Sequence, residues 1–583
     1  MNKQLLVLGC SQTKRQTPGL LPAIERYDGS YYRVLRRYLR ERQWPDNLSI
    51  AVLSARYGLI GGFTDIEDYN ERMNQQKALE WAPKCQSILN AWSRDHSQIH
   101  FSLGKDYLPA VEQAIHSGLK SKMEVFEGPI GIKLHQIKNL LENTGAPERH
   151  KPKLPEPGSG KVSYFLPDWD DLLDEHFDFE SDSFSDLTRQ QRNDKHCCVL
   201  MQPQKICDGI LVSLAQHVTS KGPLRRMVGT DSTSLAPKNL RRRFGLGNDQ
   251  SLFGDCGAFS YVNEDEPAIS VEQALALYDL YGFDFGASVD HIPVPVIERN
   301  GEKIKLSEEE RIARVEKTKQ NAAIFIELAK QRQVSFLPVG TIQALNADEC
   351  AQTACDYHSM GYRYLAIGGL VPMHDTVVEE TVRKVMTAVS SLKPRPWVHL
   401  FGIFRPKLQS LFRELKVDSF DSASYFRKAW LRSDQNYLAR NGEWYAALRV
   451  PMTSDGRTRK RLEQSGLNIE QLKAKESQVM RMLCQFDRDE INIQEVLDAV
   501  IDYDELLTRS SDASSLRLKY QKTLADRPWK KCDCPFCQNA GIHMLIFRGS
   551  NRNKRRGAHN TLMLYGSLDS TYHDTINQLE LKK

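Results

Sequence analysis

Three cysteines crowd one short stretch near the end of the chain, KKCDCPFCQNAG at residues 531–542. Cys532, Cys534 and Cys537 stand close enough for their thiolates to converge on one ion, and thiolate is a ligand that zinc takes readily. An imidazole would complete a set of four, and two follow, His543 and His559. Spacing alone leaves both open. Three thiolates and one imidazole close a tetrahedron with no position left for water or substrate, so such an ion holds the fold rather than doing the chemistry. The other nine cysteines are scattered from Cys10 to Cys484, which is not a disulfide framework.

Carboxylates form a second set. Asp255 ends the apolar run SLFGD, Asp290 ends FGASVD, Asp421 lies in VDSFDSASY, and Gln343 follows FLPVGTI. Two carboxylates in unequal surroundings suit proton transfer and covalent attack, one staying ionised while the other carries a proton. An Asp after a strand is also an ordinary helix cap. Glycine-rich neighbours, GDCGAF and AIGGL, favour a site.

What must position these residues is a repeating α/β pattern. Short apolar runs recur from about 206 to 430: GILVSLA, SLFGD, FDFGASVD, VSFLPVG, YRYLAIGGL, WVHLFGI and VDSFDSA. Amphipathic stretches such as VEQALALYDLYG and EEERIARVEKTKQNAAIFIELAKQR lie between several of them. Strand and helix alternating this often predict a (β/α)8 barrel or an open doubly wound sheet. No GxGxxG or Walker loop follows the first strand, which disfavours the nucleotide-binding open sheets. In a parallel barrel all strand ends meet on one face, so Asp255, Asp290, Gln343 and Asp421 would share a pocket.

The strongest compositional break is ENTGAPERHKPKLPEPGSGK, rich in Pro, Gly and Lys. It divides a small α/β domain at 1–141 from the rest, with a linker at 142–162. The barrel is expected at 163–430, a mostly helical segment at 431–530 and a zinc subdomain at 531–583. The acidic stretch LPDWDDLLDEHFDFESDSFSD reads as solvated surface leading into the barrel.

Hydrophobic residues make up 40% of the 583 and charged ones 26%, enough for sizeable cores. No stretch reaches the ~20 apolar residues of a membrane span, and a signal peptide is not evident at the start, so a reducing cytoplasm is expected. The net charge of +5 is modest, but basic residues cluster in RVLRRYLRER, KNLRRRFG and NRNKRRG. Arg241, Arg242, Arg243, Arg555 and Arg556 are thereby candidate phosphate contacts, the last two on a loop between the zinc ligands.

DCGAF at 255–259, SVDHIP at 288–293, GTIQA at 340–344, YLAIGGL at 364–370 and FDSASY at 420–425 resemble, in order, the motifs of the tRNA-guanine transglycosylase superfamily. The resemblance covers roughly 200–565 and extends to a CxCxxC…H zinc site, here Cys532, Cys534, Cys537 and His559. It implies an α/β fold of TIM type, exchange of guanine in a polynucleotide for a 7-deazaguanine, Asp421 as nucleophile and Asp255 as general acid/base. It also implies base recognition by Asp290, Gln343, the backbone of Gly369 and the carbonyl of Leu370, with Phe259 and Phe401 sandwiching the ring. One departure stands out: VDHIP has no cysteine where the bacterial tRNA enzymes carry one after the aspartate, which bears on the 7-substituent.

The combination of an extra N-terminal domain, with LGCSQTK at 8–14 and LSARYGL at 53–59, and no C-terminal RNA-binding domains resembles the bacterial DpdA-type DNA-guanine transglycosylases, while the N-terminal segment itself is similar to a small family of poorly understood α/β domains. That likeness implies DNA as substrate, 7-cyano-7-deazaguanine as the incoming base and a partner ATPase. The archaeal tRNA enzymes usually add RNA-binding domains at the C-terminus, and here 24 residues follow His559. The alternatives are tRNA as substrate, or a silent barrel that only binds nucleic acid; retention of both Asp255 and Asp421 speaks against silence. Cys10, Ser11 and Lys14 are expected to be structural.

Overall fold

The computed structural model describes residues 3–115, 120–168, 171–185, 194–215, 235–236, 239–431, 434–454, 468–507 and 513–568. It divides into two compact units. One comprises Met1–Lys161, Leu211–Arg241 and Asn248–Phe420; the other comprises Val162–Ile210, Arg242–Gly247 and Asp421–Lys583.

The first unit begins with a five-stranded sheet. Its strands are β1 (Gln4–Gly9), β2 (Leu48–Ser54), β3 (Gly58–Gly61), β4 (Gln98–Ser102) and β5 (Met123–Val125), in the order β3-β2-β1-β4-β5. β1 pairs in parallel with β2 and β4, and β4 with β5, while β3 returns antiparallel on the edge. β2 is buried at every residue and β1 at all but its first, as expected for parallel strands covered on both faces. Helix α1 (Ser30–Glu41) connects β1 to β2, and α2 (Gln75–Trp92) connects β3 to β4. A third helix, α3 (Ile130–Glu142), ends the domain.

Eight strands close into a barrel: β6 (Ser163–Pro167), β7 (Gly209–Ser213), β8 (Ser251–Asp255), β9 (Phe285–Ala287), β10 (Leu337–Ile342), β11 (Tyr364–Ile367), β12 (Trp397–Leu400) and β13 (Ser419–Asp421). Neighbours from β8 to β13 run parallel, in the register Phe253↔Phe285, Phe285↔Leu337, Val339↔Tyr364, Tyr364↔Trp397 and His399↔Ser419. Seven of these strands were legible as apolar runs. The eighth, SYFLP, stands beside the Pro/Gly-rich stretch and is too short to carry a pattern.

Helix α4 (Val271–Leu280) starts at a Ser270–Gln273 capping box and α5 (Glu308–Arg332) at a Ser307–Glu310 box. Helices α6 (Ala347–Met360) and α7 (Asp375–Ser390) continue the alternation. The lumen is filled by rings from non-adjacent strands. Phe285 stacks on Trp397 at 5.6 Å, Phe253 meets His399 at 4.9 Å, and Phe401 sits beside both Phe253 and His399. This plug makes the barrel a packed core whose usable surface is the rim at the strand ends.

In the second unit, residues 434–454 form short strands, including the pair Tyr437–Leu438 and Trp444–Tyr445. Helices α8 (Ile469–Asp487), α9 (Ile493–Leu507) and α10 (Ala513–Asp526) follow, then α11 (Pro535–Ala540) and α12 (Gly549–Ser567). The run NRNKRRG is therefore the start of a helix, not a loop. Among the described residues, no helix is long and apolar enough to cross a membrane.

Candidate active site and metal centre

The strand ends of the first unit build a cup around Asp290. This carboxylate is 3% exposed and follows β9. One oxygen accepts from Gln343 Nε2 at 2.6 Å and the other from the Cys256 thiol at 2.8 Å. Tyr261 hydroxyl donates to the Asp290 backbone carbonyl at 2.8 Å and lies 3.0 Å from Cys256 Sγ. Burial raises the Asp290 carboxyl above its ordinary range, and the two hydrogen bonds oppose that shift. Burial, with Asp290 and Asp255 nearby, pushes the Cys256 thiol well up, so it stays a donor. Because an ionised carboxylate offers about four lone-pair sites, these two donors leave Asp290 able to accept more.

The wall opposite is glycine for a steric reason. A β-carbon on Gly368 would stand 2.2 Å from Gln343 Nε2, and Gly369 adopts φ +72 with its hypothetical β-carbon 2.8 Å from Gln343 Oε1. Only glycine lets the main chain approach this amide so closely and turn left-handed. Gln343 is 2% and Leu370 4% exposed, and both line a cleft with Ile292, Leu345 and Met373. Asp255 ends β8, half-buried, and accepts from the Gly257 backbone N–H at 3.1 Å.

The two aromatic candidates differ. Phe401 is half-buried on the ring plug, whereas Phe259, on a single turn after β8, is 55% exposed. Cys256, inside the DCGAF motif, and Tyr261 are members of this cup to which the sequence motifs assign no role. The position of Cys256 directly after a strand-end aspartate was the available signal.

Asp421 ends β13 and belongs to the second unit, where it is 5% exposed. The next residue, Ser422, accepts through its backbone carbonyl from Tyr164 hydroxyl at 2.8 Å. Its own hydroxyl accepts from the Ser424 N–H at 3.1 Å, fixing the turn after the strand. Burial, with Cys207 and Asp421 nearby, holds the Tyr164 phenol well above its ordinary range. Tyr164 is therefore a neutral donor to this loop.

The cysteine cluster also lies in the second unit. Cys532, Cys534, Cys537 and His559 are all buried and offer four donor atoms within 4.8 Å of one another. His559 Nδ1 lies 3.7, 3.5 and 3.6 Å from the three sulfurs. Tetrahedral zinc with ordinary Zn–S and Zn–N bonds puts S and N about 3.6 Å apart, so these residues fit a metal ion such as zinc. His559 Nε2 bonds the Leu438 carbonyl at 2.8 Å, which leaves Nδ1 with a lone pair for the ion. Its ring stacks on Tyr437 at 4.1 Å. Asn560 grips the same strand, accepting from Leu438 N–H and donating to Asn436 carbonyl.

His543, the competing ligand, is elsewhere. It packs on Phe179 and faces Arg552 and Cys484, and burial beside Arg552 lowers its imidazole to about 4.

Two expectations are corrected here. Arg555 and Arg556 do not face solvent and cannot reach phosphate. Arg556 is 0% exposed and donates to the carbonyls of Ala429, Met544 and Ile546. Arg555 donates to the Asp174 carbonyl and to Asn551. The acidic stretch is solvated surface only in part: Glu175, Asp178 and Glu180 are exposed, whereas Asp171 and Asp174 are buried and Asp182 pairs with Arg548 and Arg552. The same unit folds the acidic and basic runs against each other, because each buried charge needs a counter-charge or a set of carbonyls.

Arg241 is also engaged, bound to Asp284 at 2.8 Å and to the Gln250 carbonyl. Asp284 takes His150 as well, at 2.7 Å. Arg243 is half-buried with Asp168 and Asp194 nearby, and Arg242 is the exposed member of the run.

The chain matches two family models and is similar to several known proteins. Residues 216–554 match the family described as queuine tRNA-ribosyltransferase, and residues 5–139 match a family of unknown function. A DNA-guanine transglycosylase of Salmonella montevideo is 33% identical over 420 residues, covering 70% of this chain and 97% of that protein. A tRNA-guanine(15) transglycosylase of Methanococcus aeolicus is 25% identical over 34% of this chain and 29% of its own length. Its counterpart from Methanopyrus kandleri is 28% identical over 33% of this chain and 39% of its own.

Proposed function

The chain belongs to the queuine tRNA-ribosyltransferase family of guanine-exchanging transglycosylases, which are pentosyltransferases, and from that premise we propose that it replaces guanine in DNA with 7-cyano-7-deazaguanine. The observation that carries the reading is the Asp290 cup: a buried carboxylate braced by Gln343 and Cys256, facing a double-glycine wall. Guanine and 7-deazaguanines share an amidine-like edge of N–H donors, which suits a carboxylate acceptor, and a carbonyl, which suits Gln343 and the Gly369 N–H. Phe259 and Phe401 offer flat faces to hold an extruded base.

Asp421 is the nucleophile in this reading. Its carboxylate attacks C1′ as the glycosidic bond to guanine breaks, giving a sugar ester, and Asp255 protonates the departing nitrogen. The incoming base then loses its N9 proton to Asp255 and displaces Asp421. Bonds broken and formed are equivalent, so no external energy source is required for the exchange. Asp255 and Asp421 each terminate a strand of the same closed barrel, the arrangement that gives parallel barrels their active sites.

DNA is favoured over tRNA by coverage: the DNA-acting relative aligns over 97% of its length, while the two tRNA-acting relatives align over 29% and 39% of theirs. Cys532, Cys534, Cys537 and His559 would hold zinc, which supplies a fixed cross-link rather than a reacting centre, since four protein donors close the site. A partner ATPase and a cytoplasmic setting belong to the same proposal. Incubation with labelled 7-cyano-7-deazaguanine and either duplex DNA or tRNA tests it. Label should enter DNA; entry into tRNA alone would overturn the choice of polynucleotide.

A further inference from the structure

The first unit carries a pocket at the opposite end of the barrel strands from the Asp290 cup. Asp284 stands directly before β9 and Asp290 follows that strand, and the pocket gathers around the residues that hold Asp284. Arg42 and Trp44 line it from the end of α1, Arg149 and His150 from the 142–162 stretch, and Arg241 and Tyr281 from the barrel region. Its volume is about 50 Å³, room for one compact group. The base-exchange reaction has no use for it, nor for the basic run RVLRRYLRER that ends in Arg42.

The charges around the pocket are met unequally. Asp284 is fully engaged: one oxygen faces His150 Nδ1 at 2.7 Å, and the other accepts from Arg241 at 2.8 Å and from the Leu252 N–H at 2.7 Å. That set balances Arg241 and fixes its wall. Arg149 is different. Its side chain is 10% exposed, and Nη1 donates to the Leu39 carbonyl at 2.8 Å. Nη2 is buried and donates to no group among the described residues. Asp279 stands 3.8 Å from Nη1, but the same oxygen takes the Ser335 N–H at 3.0 Å and the Ser335 hydroxyl as well.

Arg42 adds a second cation without a counter-charge. It is exposed, and among the described residues its guanidinium makes no ion pair and no hydrogen bond. The Trp44 indole N–H is already spent on the Leu48 carbonyl at 3.0 Å, so the donors left over in this pocket belong to the two guanidiniums. A buried guanidinium N–H that finds no acceptor pays its full desolvation cost, and an acceptor brought by a ligand would recover it.

We infer that this pocket binds a phosphate group. The donor set selects the ligand. Arg42 and Arg149 approach from different segments of the chain, so the ligand must accept from two directions at once and carry negative charge to balance them. A water molecule supplies the acceptor without the charge. A tetrahedral oxyanion supplies both, and guanidinium binds phosphate through short, charge-assisted N–H···O bonds. The volume admits one such group and no attached ring, so whatever carries the phosphate extends out past the exposed Arg42. A phosphate held there would tie the end of α1 to the 142–162 stretch and, beside Arg241, to the barrel. DNA and free phosphate compounds present the same group, and the experiment separates them. Base exchange at the Asp290 cup can proceed or fail without bearing on this site.

Equilibrium dialysis of the full chain against radiolabelled inorganic phosphate, with chloride holding the ionic strength constant, tests this. Expected is one phosphate bound per chain, and a higher melting temperature in phosphate than in chloride. Arg42→Ala removes an exposed side chain that has no partner, so it should weaken phosphate binding at least about fivefold and leave the melting temperature in chloride unchanged. Arg149→Lys keeps the charge but loses the buried Nη2 and should weaken binding further; if that variant does not fold, Arg42→Ala carries the test alone. Arg37→Ala, which removes an exposed arginine of the same helix outside the pocket, should bind phosphate as the parent does. A duplex oligonucleotide identifies the source. If it displaces labelled phosphate and binds Arg42→Ala more weakly than the parent, the group belongs to DNA; if it binds both alike and leaves the phosphate in place, the group belongs to a free phosphate compound. No phosphate retained over chloride, binding undiminished in Arg42→Ala, or an equal loss in Arg37→Ala would overturn the site.

Discussion

The Asp290 cup and the interior of the unit that carries the cysteine cluster use similar residue types to opposite ends. In the cup, Asp290 holds two donors and has capacity for more, and Gln343 faces a glycine main chain rather than a side chain. Around the cysteine cluster, several polar groups are filled by their own chain. Arg556 spreads its guanidinium over three backbone carbonyls and Asn553, Arg552 takes Asp182 and the Phe179 carbonyl, and Asn560 both accepts and donates. Charge alone therefore does not mark a functional residue. A buried polar group whose hydrogen-bonding capacity is unfilled is available to a ligand; one whose capacity is filled by its own chain serves the architecture.

The sharpest way to test this contrast is to neutralise one carboxylate with a proposed role in the exchange and one paired within its own chain. Asp421→Asn should lower exchange at least about a thousandfold, since it removes the attacking oxygen. DNA binding by that variant should stay within a few-fold of the parent, read by filter retention or anisotropy. Asp182→Asn should do the reverse: it should cost about 3–5 kcal/mol of unfolding free energy by leaving Arg552 without its buried carboxylate and Arg548 with Glu476 alone, with kcat per folded molecule unchanged. Equal loss of stability in both variants would erase the distinction.

Removing the zinc proposed for the cysteine cluster extends the same test. A chelator, or Cys537→Ser, should lower the melting temperature and expose Leu438 and Tyr437 to hydrogen exchange, because His559 and Asn560 clamp that strand. Protein that remains folded should keep its pH–rate profile. A profile that changes shape would place the ion in the chemistry.

Acid titration probes the cup more gently. Because burial raises the Asp290 carboxyl, lowering the pH protonates it before exposed carboxylates, and it then ceases to accept from the base. KM for the incoming base should rise severalfold on the acid limb, and Asp290→Asn, with nothing to titrate there, should lose that limb. The smallest effect belongs to Arg242. If it meets a phosphate, Arg242→Ala should reduce the salt dependence of DNA binding by about one unit of slope, whereas Arg556→Leu should leave the slope unaltered.

Local chemistry was legible in the sequence. Three thiols in six positions, aspartates closing apolar runs, and paired glycines after LAI all act over a few residues, so their order along the chain already states what they can do. Alternating apolar runs and amphipathic helices likewise required a layered α/β fold, because each strand must bury its faces. Tertiary structure alone decided the rest. It brought Cys256, Asp290 and Gln343 together across separations of 34 and 53 residues. It set His559 against the thiols and His543 against Arg552, and it folded the acidic stretch onto the basic helix, turning expected surface charges into internal pairs. The physical reason is that burial and partnership belong to surfaces that meet. A side chain's identity fixes what it can donate, accept or attack, but only the chains packed around it determine how much of that capacity is left for a ligand.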